Sequence, residues 1–99
     1  MVVGTLTVDL LLGDVHSLKE KRSLVRPLVA DLRRRFEVAA AETGSLDLHR
    51  RSELSVAVVA SSHAHVSEVL DGCERLLAGH PEVEMLGVRR RVLDDEDLD

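Results

Sequence analysis

Tryptophan, tyrosine, asparagine and glutamine are all missing from this chain of 99 residues, and Phe36 is its only aromatic side chain. RNA-recognition modules of the sheet type stack bases on strand aromatics. A single phenylalanine on an apolar helical stripe excludes that mode, so any contact with RNA must run through phosphates. One cysteine, Cys73, leaves no intrachain disulfide and no thiolate cluster for a metal. No apolar run approaches the roughly 20 residues that span a bilayer, so no membrane partner is expected. The opening Met1-Val2-Val3-Gly4-Thr5 has neither a basic stretch nor a small-residue cleavage site, which argues against a secretory signal. Together these absences favour a cytoplasmic protein.

What is present is an ordinary globular composition, 44% hydrophobic and 31% charged. The length suits one domain, burying roughly 60–70% of the surface that its unfolded form exposes. The net charge of −5 conceals an asymmetry: Asp94-Asp95-Glu96-Asp97-Leu98-Asp99 hold five acids and no base, leaving 13 acids against 13 bases in residues 1–93. Residues 1–93 therefore read as the folded domain and 94–99 as a disordered acidic tail. That tail is either a solvated end or an internal polyanion mimic that screens the basic runs. The runs are Lys19-Glu20-Lys21-Arg22, Arg33-Arg34-Arg35, Arg50-Arg51 and Arg89-Arg90-Arg91.

Hydrophobic periodicity lays out the elements. Residues 2–12 alternate, with Leu6, Val8, Leu10 and Leu12 on one side, and predict a half-buried strand. Ser17 followed three residues later by Glu20 is the capping-box spacing, in which each returns a bond to the other's backbone. It opens a helix whose stripe is Leu18, Val25, Leu28, Val29, Leu32 and Phe36. Pro27 lies inside; either the helix kinks there or it restarts at Ser23. Alanine propensity would extend the helix through Val38-Ala39-Ala40-Ala41, but the remaining strands need a partner, so 37–43 is assigned as strand. Residues 52–60 alternate again. Ser61 or Ser62 caps a second helix with the stripe Val66, Val69, Leu70, Cys73, Leu76 and Leu77, closed by Gly79 in a left-handed cap before Pro81. Residues 83–92 form the last strand.

The order βαββαβ, with right-handed crossovers, predicts an α+β fold: a ferredoxin-like two-layer sandwich with an antiparallel four-stranded sheet and two helices on one face. The run Ser17-Leu18-Lys19-Glu20-Lys21-Arg22-Ser23, with Val2-Val3-Gly4, Leu32-Arg33-Arg34-Arg35-Phe36, Ala41-Glu42 and Val56-Ala57-Val58-Val59, resembles the YlxP-like family of small bacterial proteins. The resemblance implies a ferredoxin-like fold and an unknown function. It also implies a link to translation or RNA through the genes that neighbour family members. Pro27 and His49 depart from the family pattern.

The acylphosphatases of this fold need an arginine beside a Gly-rich loop and an asparagine that orients water. Gly13-Asp14-Val15-His16-Ser17 and Arg22 are present, but the chain has no carboxamide, which makes hydrolase activity the least favoured reading. His63 and His65 are two apart, and His16, His49 and His80 are scattered, so no helical metal spacing exists and no cofactor is expected. Cys73 reads as a buried small hydrophobe. No catalytic constellation emerges, and the chain reads as a non-enzyme.

What remains is charge. On a continuous helix Lys19, Arg22, Arg26 and Arg33 stack along one edge. Arg33-Arg34-Arg35 complement the dipole at the helix end, whereas Lys19, Lys21 and Arg22 stand at the positive end, where cations are disfavoured. Lys21 projects toward the apolar stripe, and either snorkels at the sheet end or pairs with a carboxylate such as Asp9 or Glu53. Lys19, Lys21, Arg22, Arg26, Arg33, Arg50 and Arg51 are therefore the candidate anion- or RNA-binding residues, with RNA or the ribosome as partner. The alternative is a homodimer across the sheet face that the helices leave open, which Thr5, Thr7, Ser55, Ala57 and Ala39 would make small and flat.

Overall fold

The computed structural model describes residues 1–99. It runs β1 (Val2–Leu12), α1 (Leu18–Phe36), β2 (Ala39–Gly44), β3 (Arg51–Ala60), α2 (His63–Ala78), β4 (Val83–Leu93) and a one-turn α3 (Asp95–Leu98). The sheet is antiparallel in the order β2-β3-β1-β4, the ferredoxin-like arrangement expected from the alternation. β1 alternates buried and half-buried positions along its whole length, so Leu6, Val8, Leu10 and Leu12 face the helices. Thr5, Thr7 and Asp9 face the open side. The core joins them to Val25, Leu28 and Leu32 of α1, Leu54, Val56 and Val58 of β3, and Val66, Leu70, Cys73 and Leu77 of α2.

Two glycines let the helices sit close. A Cβ on Gly4 would collide with Val66 Cγ1 and lie 3.0 Å from Leu70 Cδ1, so α2 packs directly on the backbone of β1. A Cβ on Gly72 would lie 2.5 Å from Phe36 Cε1, so the end of α1 leans its ring on α2.

Several local expectations are corrected. α1 does not restart at Ser23 but runs as one helix through Pro27. The proline is on the exposed face, where water can serve the Ser23 carbonyl that loses its helical donor. The capping box is half formed: Ser17 Oγ accepts from Glu20 N at 3.1 Å, but Glu20 Oε2 accepts from His16 N at 2.8 Å rather than from the cap residue. Leu18 is 38% exposed and leaves the stripe, and Lys21 takes its place in register with Val25, Leu28 and Leu32. Gly79 closes α2 at φ −83°, in right-handed rather than left-handed conformation. The left-handed cap belongs instead to Glu37 after α1, at φ 52°, its N–H donating to the Arg33 carbonyl.

The alanines after α1 do form a strand, because β3 offers a ladder in which Ala39 pairs with Ala57 and Ala41 with Ser55. Residues 94–99 depart from the expected structureless tail. Asp94 caps α3 with a capping box closed by Asp97, and the amino group of Met1 meets Asp95 Oδ2 at 3.0 Å.

Candidate functional site

The basic residues singled out by the sequence do not share one surface. Lys19, Arg22 and Arg26, with Ser23 and Pro27, line a shallow depression on the outer side of α1. Arg22 and Arg26 also line, with Arg33 and the apolar Val25 and Val29, a groove between α1 and the edge strand β2. Neither Lys19, Arg22 nor Arg26 pairs with a carboxylate. By contrast Arg34 pairs with Asp31, Arg89 with Glu53, and Arg90 with both Asp71 and Glu74. The helical spacing expected to align Lys19, Arg22, Arg26 and Arg33 along one edge brings the first three together and leaves Arg33 out.

Lys21 is not on that surface, which corrects its place among the ligand-binding candidates. Its side chain is 2% exposed, and Nζ donates to the carbonyls of Ser45 at 2.7 Å and Leu48 at 2.6 Å while pairing with Glu42 Oε2 at 2.7 Å. An ammonium has three protons, and each finds an acceptor here. Ser52 Oγ donates to the same Glu42 Oε2 at 2.8 Å, and no buried side-chain polar atom is left without a partner. Neither Asp9 nor Glu53 is the partner: both point to the open face, where Glu53 accepts from Thr43 Oγ1 at 2.6 Å and meets Arg89.

Arg33 is also committed internally. Its Nε and Nη2 donate to the Ala40 carbonyl at 3.0 and 2.6 Å. Arg50 and Arg51 separate although they are neighbours in sequence. Arg50 exchanges backbone and side-chain bonds with Leu12, and the loop leading into it is tied to α1 through Lys21, so it stands at the N-terminal end of that helix. Arg51 lies opposite Leu11 on the open face, turned from α1.

The histidines stay apart: His16 bonds Asp14 Oδ1 at 3.0 Å, His63 lies 3.7 Å from Asp94, and His80 Nδ1 accepts from the Glu82 N–H at 3.2 Å. No three His, Cys, Asp or Glu side chains converge as a metal would require. Cys73 is buried in α2, and burial pushes its thiol up to about 11, although Arg90 pulls the other way. No helix is long and apolar enough to cross a membrane.

Sequence reasoning overlooked Glu42 and Ser52. A signal for them existed: Lys21 repeats with Val25, Leu28 and Leu32, which demands a buried acceptor. The alternation of β2 turns Ala40 and Glu42, not Ala41, toward the helices. It also overlooked Leu46 and Leu48, which the loop 45–50 leaves 59% and 54% exposed.

Comparison with known proteins agrees with this architecture. The family described as "Protein of unknown function (DUF503)" matches residues 3–90. The chain is 26% identical to "Uncharacterized protein YlxP" of Bacillus subtilis (strain 168) over 83 residues, covering 84% of this chain and 90% of that one. Among solved structures it is similar to the solution structure of LFR1 1, a de novo designed protein with ferredoxin fold. The TM-score is 0.55 at 13% identity, over 96% of this chain and 88% of the other.

Proposed function

The chain belongs to the DUF503 family of proteins of unknown function, and on that premise we propose that it is a non-catalytic module that holds RNA by its phosphates, alone or within a ribonucleoprotein such as the ribosome. The observation that carries this is the strip Lys19, Arg22 and Arg26, three cations that line one depression on the exposed side of α1 with no carboxylate among them. Lys19 and Arg22 stand at the positive end of the helix dipole, so intrinsic helix stability does not account for them. A polyanion does, because each neutralised phosphate releases condensed counterions. Arg50, bonded to Leu12 at the end of β1, stands toward the same end of the helix. Lys21 and Arg33 serve as scaffold beneath the strip.

The test is an electrophoretic shift with a structured RNA at low salt. Retarded RNA, lost in Lys19→Glu/Arg22→Glu, is the expected result. No retardation, or retardation unchanged in that variant, overturns the proposal.

A second reading is a homodimer across the open sheet face. It is favoured by Val59, 64% exposed beside Val3, and by mixed charge on that face, where Arg51, Arg89 and Arg91 accompany Asp9, Glu53 and Glu84. Such a surface suits a copy of itself better than a polyanion. A strict monomer in sedimentation at high concentration overturns it.

A further inference from the structure

We infer that the RNA held by α1 is a duplex, with one row of phosphates in each of two hollows on that helix; this rests on the phosphate-binding reading above and names the class of RNA. The hollows are the depression on the outer side of α1 and the groove between α1 and β2. Lys19 lines the first, with Ser23 and Pro27. Arg33 lines the second, with the apolar Val25 and Val29. Arg22 and Arg26 line both, so they stand on the divide. Each hollow therefore has a cation of its own as well as the shared pair.

Arg33 keeps donors for a ligand although it is tied to β2. A guanidinium has five N–H groups, and the Ala40 carbonyl takes one from Nε and one from Nη2, which leaves the others for a phosphate. The one acid of that groove, Glu42, already holds Lys21 and Ser52 through Oε2, so its charge is compensated within the protein. Because α1 runs as one helix through Pro27, all four cations ride on a single rod.

A single strand offers one row of phosphates, and the proteins that hold it add stacking of its bases on aromatic rings. Phe36, the only aromatic residue here, leans on Gly72 instead. A duplex offers two rows that face each other across a groove. Base pairing has already fixed their separation, so the protein spends little of its binding energy on ordering them. Lys19 and Arg33 stand about 21 Å apart along the axis at about 1.5 Å per residue, so α1 crosses the groove from one row to the other and does not follow it. The wide, shallow minor groove of A-form RNA leaves the phosphates on its two sides open to such a ridge. One row then falls to Lys19 and the other to Arg33, with Arg22 and Arg26 between them.

The experiment is fluorescence anisotropy with an RNA duplex and with one of its strands alone, over a range of salt concentrations. The wild-type chain is expected to favour the duplex by about tenfold, the ratio that about 1.4 kcal/mol produces. The slope of log affinity against log salt should be about −3.6 for the duplex, which engages Lys19, Arg22, Arg26 and Arg33, and about −2.1 for the strand, which engages the first three. Ala30 is exposed and lines the groove toward β2 but not the outer depression. Ala30→Glu should erase the preference while keeping the affinity for the strand, and Ala30→Lys should enlarge it, both with unchanged circular dichroism. Lys19→Glu should weaken both ligands. Equal wild-type affinity for duplex and strand, or a preference that Ala30→Glu leaves intact, overturns the inference and leaves the phosphate-binding reading standing. Binding to neither overturns both, and tighter binding to a DNA duplex of the same sequence than to the RNA duplex does the same.

Discussion

Lys21 Nζ and Glu42 Oε2 lie 2.7 Å apart at the junction of α1, β2 and the 45–50 loop, with the lysine 2% and the glutamate 22% exposed. Removing one partner strands the other charge. Glu42→Ala is expected to lower unfolding free energy by about 2–4 kcal/mol, somewhat under the range for fully enclosed pairs because the glutamate keeps some water. Lys21→Met/Glu42→Leu should cost clearly less than the sum of its single variants. Urea denaturation measures all of them, and strict additivity would show that the pair is not coupled.

Salt dependence separates ligand-facing cations from scaffold. For RNA binding, Lys19→Ala, Arg22→Ala and Arg26→Ala should each reduce the slope of log affinity against log salt by about 0.7–0.9. Arg90→Ala, which frees Asp71 and Glu74 on the α2 side, should leave the slope unchanged. Titrations at several salt concentrations decide this.

Gly4 should resist substitution more than Gly13. A methyl at Gly4 enters space held by Val66 and Leu70, and overpacking of this kind costs about 1–3 kcal/mol. At Gly13 it meets only the Glu82 carbonyl, at 3.4 Å, and the backbone there is not in a left-handed conformation. Gly13→Ala should stay within about 0.5 kcal/mol of the wild type. Thermal melts of the two variants give the comparison.

Cys73 should be silent toward thiol reagents until the chain unfolds. Burial holds its thiol at about 11, above the ordinary 9.0, so almost no thiolate exists near neutrality in the folded state. A folded-state value raised above the unfolded one gives stability that is intact below 9.0 and declines as pH climbs toward 11. Labelling rates with and without urea, and melts across the alkaline range, check both statements.

Acid should loosen the C-terminal turn. Asp94 titrates below the ordinary carboxylate range, chiefly because the Asp97 N–H donates to it, with the Glu96 N–H, the Asp97 side chain and nearby His63 acting in the same direction. A depressed folded-state value means that the cap contributes above the unfolded value and is lost as pH falls through the folded one. Amide shifts of Glu96 and Asp97 should move together in an acid titration, and Asp94→Ala should abolish that movement.

Much of the fold was legible because its signals are short-range. Alternation located β1 and β3, and helical spacing located both long helices. The placement of 39–44 as a strand depended on counting partners, since alanine alone points the other way; the β3 ladder outweighs that propensity. What could not be read was tertiary. Lys21 resembles any lysine of a basic run until Glu42, Ser45 and Leu48, distant in sequence, converge on it. Arg33 likewise reads as a helix-end cation, and only the proximity of β2 turns it into a donor to Ala40. The alignment of Lys19, Arg22 and Arg26 needed only one continuous helix, and so it was available from spacing alone. The half-formed capping box and the right-handed Gly79 were misjudged because cap geometry follows the path of the preceding or following loop, which local residue types do not determine.

The two bonds from Arg33 to the Ala40 carbonyl bear on how the protein behaves when crowded. The outer strands β2 and β4 are the places where a foreign strand could add to the sheet, and a run of small alanines is an inviting one. A guanidinium held by the Ala40 carbonyl places a positive charge against that run. At the opposite rim, the register break near Gly87 and the arginines that follow it do the same work by geometry and charge. An incoming strand would meet that guanidinium beside β2 and the broken register and arginines along β4, which leaves it a poorer template than two bare edges would.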